Sequence, residues 1–174
     1  FWAGFKDRWF GGLKPNTIVG PVARDGNWGF LAAARYRLAP DEVIVVRTTR
    51  GAARYTGVQV TDPWMVAPDG AKHVTSINTA QAVADQDGGF TYVISPRDPG
   101  VANWVDTGGL HEGYILLRWQ GFEPGADANG LLTDFRVEKR SDLAGLTAVA
   151  KSNPGARGEQ LAQRAQAYRQ RLSN

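Results

Sequence analysis

EVIVVRTTRGAARYTGVQVTD, residues 42–62, decides the fold class. Its first half is a β-branched run from Val43 to Thr49, a strand by composition and length. Arg50, Gly51 and Ala52 make a short turn, after which Tyr55, Gly57 and Gln59 alternate with Thr56, Val58 and Val60. A period of two is the pattern of a strand with one face buried and the other wet. Together the two runs read as an antiparallel hairpin.

The same reading extends in both directions. Upstream, WGFLAAARYRL from Trp28 leads through the turn Ala39-Pro40-Asp41 into the first run. The opening FWAGFKDRWFGGLKP is aromatic, glycine-rich and too broken for a helix, so residues 1–27 are expected to pack on another domain or subunit that covers their rings. Downstream, MVAPDGAKH is a loop, and the carboxylate-glycine cluster from Asp85 to Gly89 is a turn that should fold FTYVIS back onto AQAVA. GYILLRWQGF is a strand with Ile115, Leu117 and Trp119 on one face, and TDFRVEKR at 133–140 is another. Ser141 caps a helix over SDLAGLTAVA, SNPGARG breaks the chain, and GEQLAQRAQAYRQRL places Leu161, Ala165 and Tyr168 on one helical stripe. Six or seven strands with short turns, and helix only at the end, predict a mainly β protein. The expected domains are an antiparallel β-sandwich over 28–140 and a tail of C-terminal helices over 141–174.

Composition narrows the chemistry. The 174 residues are 43% hydrophobic and 21% charged, enough for one domain with a real core, and six Trp, five Tyr and seven Phe supply large apolar surfaces. Without cysteine there is no disulfide framework, no thiolate zinc site and no thiol nucleophile. Arg157, Arg164, Arg169 and Arg171 recur at helical spacing and read as a solvated face; no aromatics alternate with them, so no nucleic-acid surface is expected. No run of about 18 apolar residues occurs, so no membrane span is expected. A start at Phe1 in place of methionine leads us to expect a fragment or a processed product.

RDPGVANWVDTGG, residues 97–109, carries the densest cluster of candidate site residues. Asp98-Pro99-Gly100 sets a turn, Asn103 and Asp106 can bond nearby backbone amides, and Trp104 can anchor the loop by burial. The same Trp104, beside an amide and a carboxylate, is also a sugar-binding combination. A hydrolytic or metal-assisted site would use His111 with Asp98 or Asp106, joined by His73. Glu112 cannot share a metal with His111, because neighbours on a strand point to opposite faces unless a bulge intervenes. No serine sits in a G-x-S-x-G elbow and no phosphate loop is present, so no nucleotide or other cofactor is expected. Tyr55, Gln59, Arg118, Trp119 and Trp64 remain as sheet-surface or cleft-wall candidates, with Arg118 suited to an anionic or hydroxyl-rich ligand.

LAPDEVIVV at 38–46, SINTAQAV at 76–83, the turn at 85–89, and above all RDPGVANWVDT at 97–107 followed by HEGYILLRW at 111–119 resemble a bacterial family catalogued as domain of unknown function 1214. The resemblance implies a jelly-roll-like β-sandwich, usually the C-terminal part of a longer protein, and no established activity. The resulting expectation is a small-molecule or glycan binding module within a larger protein or assembly. Its ligand-binding candidates are Trp104, Asn103, Arg118, Tyr55 and Trp64. The alternatives are a hydrolase or lyase using His111, Asp98 and Asp106, and a structural interaction module.

Overall fold

The computed structural model describes residues 12–145, 150–152 and 154–173, together with Gly4 and Arg8. Most of the aromatic opening, and residues 146–149 of the expected helix, lie outside the described residues. The strands are β1 (Thr17–Arg24), β2 (Gly29–Arg37), β3 (Glu42–Thr48), β4 (Tyr55–Thr61), β5 (Ser76–Asn78), β6 (Phe90–Ser95), β7 (Trp104–Asp106), β8 (Glu112–Gln120) and β9 (Leu132–Lys139), followed by one α-helix, α1 (Pro154–Leu172). They form a five-stranded sheet in the order β1-β2-β8-β4-β5 and a four-stranded sheet in the order β7-β6-β3-β9. Ala34, Tyr36, Ile44, Tyr92, Ile115 and Trp119 fill the space between the sheets, as the mainly β sandwich expectation requires.

The two runs on either side of Arg50-Gly51-Ala52 do not form a hairpin. β3 pairs with β6 and β9, whereas β4 pairs with β5 and β8, so the chain crosses from one layer to the other between Thr48 and Tyr55. The physical reason is visible in their burial. In β3 four successive residues, Val43 to Val46, are buried, with Ile44 and Val46 in the core between the sheets and Val43 and Val45 in a second cluster with Val93, Val101, Trp104 and Leu143. A continuous apolar run marks a strand covered on both faces, and an alternating run marks one covered on a single face. The turn Arg50–Ala53 survives as a hydrogen-bonded turn, and Trp119 Nε1 donates to the Thr49 carbonyl at 2.9 Å, tying the crossing to the core.

FTYVIS does not return on AQAVA either. The Asp85–Gly89 turn forms, with Asp85 N donating to Gly89 O at 2.8 Å, but β6 pairs with β3 and β7. A side chain takes the place of a ladder partner: Asn103 Oδ1 accepts from Val83 N at 2.8 Å and Asn103 Nδ2 donates to Val83 O at 2.7 Å. With both backbone groups of Val83 satisfied, that segment has less need of a strand neighbour.

Several further expectations change. The sandwich begins at Thr17, upstream of the expected boundary at 28, because β1 pairs with β2. The β6–β7 pair is parallel, whereas the other pairs of these strands are antiparallel. In place of a helix capped by Ser141 there is a 3-10 segment, Arg140–Gly145, where the Ser141 hydroxyl donates to Asp142 Oδ1. Among its described residues the tail thus holds one α-helix, and the arginines of that helix are not all solvated. Arg157 is 8% exposed, and Arg164 reaches the Gly70 and Ser76 carbonyls at 3.2 and 2.9 Å. Leu161, between them, packs on the core. Seven residues of helix rise roughly 10 Å, the usual separation of stacked sheets, so α1 docks beside β7 through one arginine and on β5 through the other. No described helix is long and apolar enough to cross a membrane.

Candidate functional site

The loop from Arg97 to Thr107 is committed to itself and to α1. Asp98 Oδ1 accepts from Gly100 N at 2.8 Å, and Asp106 Oδ1 accepts from Gly108 N at 2.8 Å, as short polar side chains in turns do. Trp104 is buried and its Nε1 donates to Ser95 O at 3.1 Å. Arg157 lies over its ring, 5.0 Å from the centroid, while donating to Asp98 Oδ2 at 3.1 Å and Val101 O at 2.6 Å. Asn103 is 3% exposed, with its amide spent on Val83 and on Thr91 O. Of the predicted ligand contacts, Trp104 and Asn103 are therefore occupied as structural bonds.

Each member of the predicted catalytic trio has a different hydrogen-bond partner. The exposed His111 shares an Nδ1 hydrogen bond with the Leu38 carbonyl at 3.0 Å, Asp98 serves Arg157, and Asp106 pairs with the other histidine, His73 Nδ1 to Asp106 Oδ2 at 2.8 Å. Asp106 anchors the loop that carries His73, since its N–H also donates to Val74 O at 2.9 Å. Among the described residues no three His, Asp or Glu side chains converge as a metal-binding group.

The outward face of the five-stranded sheet brings the other candidates together. Register places Val22, Leu31, Arg118, Gly57 and Asn78 in one row across all five strands. Trp119 and Leu117 point into the core, so Arg118 points out, and it is exposed. Beside it Tyr55, 43% exposed, lays its ring over Gly57: a Cβ there would stand 2.6 Å from the Tyr55 hydroxyl. Absence of a side chain at Gly57 thus lets a strand tyrosine lie flat along the sheet. Across β8, Trp28 is 67% exposed and, with Arg24, Asp25, Leu31 and Arg118, lines a depression of about 280 Å³. Arg118 also lines a second, of about 160 Å³, with Tyr55, Gln59, Asn78 and Gln81. Among the described residues Arg24 and Arg118 make no side-chain hydrogen bond or ion pair to protein. Trp64 stands on the loop after β4, roughly 20 Å along the strand from Tyr55, and contributes to neither depression.

A groove of two exposed aromatic rings, a free guanidinium and several amides can hold a hydroxyl-rich molecule: ring faces cover its apolar C–H patches while amides and arginine bond its oxygens. Sequence reasoning named Tyr55 and Arg118 and passed over Trp28, Arg24, Asn78 and Gln81. Their shared signal is an outward position, readable only once β2, β8, β4 and β5 are known to be neighbours.

No family model and no curated protein matches the chain. Among solved structures, it is similar to an uncharacterised protein from Burkholderia cenocepacia, with 30% identity and a TM-score of 0.60 over 69% of this chain. It is also similar to the VPA0106 protein from Vibrio parahaemolyticus, with 16% identity and a TM-score of 0.45 over 66% of this chain. The chain covers 32% of each of those two proteins, about a third of their length.

Proposed function

We propose that this chain is a β-sandwich binding module of a longer protein and that it takes a glycan or similar polyhydroxylated small molecule on the outward face of its five-stranded sheet. One observation carries the reading: the Tyr55 ring laid over Gly57 beside Arg118, with Trp28 exposed across the strand between them. Large aromatic rings are ordinarily buried, and two held at a groove that also contains an unpartnered arginine form a ready contact surface. Membership in the family catalogued as domain of unknown function 1214 is part of the same proposal. The likeness to an uncharacterised protein of which this chain covers about a third supports a module within a longer polypeptide.

A hydrolase or lyase has no comparable support, because His111, Asp98 and Asp106 are each engaged with a different partner. The test is affinity electrophoresis of the chain through gels containing soluble polysaccharides, neutral and acidic. Retardation by at least one, abolished in Tyr55→Ala and Trp28→Ala while the fold is kept, is the expected result. Unchanged mobility in every gel, or retardation indifferent to both substitutions, refutes it.

A further inference from the structure

The groove does not end at β5. Ser76, Asn78 and Gln81, which line the depression beside Arg118, also line a third and larger one of about 580 Å³ between β5 and α1. Its far wall comes from one face of the helix, including Gln160, Gln163 and Arg171. The helix is seated there by Arg164, which burial shifts toward a lower pKa, with guanidinium bonds to Gly70 and Ser76 that keep it in place as a structural cation. The Arg171 guanidinium lies 5.9 Å from the ring centroid of Tyr168 on the same helix, and both residues line the groove.

Charge along this path is one-sided. The three depressions together are lined by four arginines, Arg24, Arg118, Arg164 and Arg171, against the single carboxylate of Asp25. The five strands alone span roughly 19 Å, longer than a monosaccharide. Between the cations stand amides and hydroxyls, which suit sugar hydroxyls better than a phosphate backbone, and the Trp28 ring marks the end opposite α1. We infer that the ligand is an acidic polysaccharide carrying carboxylates, a uronate chain, laid across the strands from Trp28 to α1, with Arg118 and Arg171 meeting negative charges at separate points along it. This rests on the binding reading above and narrows it to charge and length.

The probes are polygalacturonate, alginate and hyaluronan oligomers, and polygalacturonate with its carboxylates methyl-esterified, titrated calorimetrically into the whole chain. Expected are binding of at least one acidic oligomer, tenfold or more weaker binding of the esterified chain, and weakening as salt is raised, since exposed charges are screened. Arg118→Gln and Arg171→Gln should each weaken the acidic oligomer about fivefold or more, and the exposed Arg97→Gln, outside the groove, should not. Equal binding of acidic and esterified chains overturns this inference and leaves glycan binding standing. So does an effect of Arg97→Gln as large as that of Arg118→Gln, which would mean unspecific attraction to a basic protein. Binding insensitive to Arg171→Gln confines the ligand to the sheet and overturns the extension to the helix. Failure of all three acidic oligomers overturns it too, the wider reading then resting on the neutral gels.

Discussion

Arg157→Ala should loosen the C-terminal helix from the sandwich. The wild-type guanidinium makes a buried bond to the Val101 carbonyl at 2.6 Å, and a charge-assisted bond of that kind contributes about 1.5–3 kcal/mol. Its contact over the Trp104 ring adds about 0.5–1 kcal/mol. The pair with Asp98 adds little, on the order of 0.5 kcal/mol, because that carboxylate is 39% exposed and water screens it. The net loss is then about 3 kcal/mol, a fall in melting temperature of roughly 6–12 °C for a domain of this size. Circular dichroism melts measure the shift, and limited proteolysis should release α1 from Arg157→Ala earlier than from wild type. A melting temperature within about 1 °C of wild type, with unchanged proteolysis, would refute the idea that this residue clamps helix to sheet.

Three other outcomes follow from the contacts. Gly57→Ala should displace the Tyr55 ring, because the new methyl stands 2.6 Å from its hydroxyl, and should weaken glycan retardation tenfold or more while stability in urea changes by less than about 1 kcal/mol, since the obstructing atom is the far end of a movable side chain. Asn103→Ala should cost about 2 kcal/mol in the same urea titration, leaving Val83 and Thr91 backbone groups to seek water. Hydrogen bonding from Arg47, then from Gly89 N–H, holds the Asp87 carboxyl below the usual carboxylate value. Its folded pKa is the lower one, so its contribution is present above the unfolded value and is lost as pH falls from about 4 through the folded value. Acid melts of Asp87→Asn should lack that part of the decline.

What the sequence disclosed was local. Alternation at Thr56, Val58 and Val60 and at Ile115, Leu117 and Trp119 marks the inward faces of β4 and β8, because side chains on a strand repeat every two residues whatever the strand pairs with. The turn bond of Asp98 is likewise local, two residues long. Pairing is not. Val43–Val46 announces burial on both faces but does not say which neighbours supply it, and the nearest alternating run proved to lie in the other layer. Trp104 illustrates the same limit within the site. Its residue type fits either a sugar platform or an anchor, and the decision is made by Arg157, 53 positions later in the chain. Tyr55 and Arg118 were identifiable as outward residues, whereas Trp28 joins them only through the β2–β8–β4 pairings.

Burial on both sides of β3 has one more effect. Over β7, β6 and β3 the outer side of the four-stranded layer is roofed by Val101, Trp104 and Leu143, and β9 beyond them bears a ladder of Arg136 with Asp134 and Glu138. The two layers therefore differ among the described residues: the outward face with Tyr55 and Arg118 has no such roof, and both side chains are exposed. In a longer polypeptide, a neighbouring module that settled against that face would compete with any ligand held there, while one that settled elsewhere would leave the entrance clear.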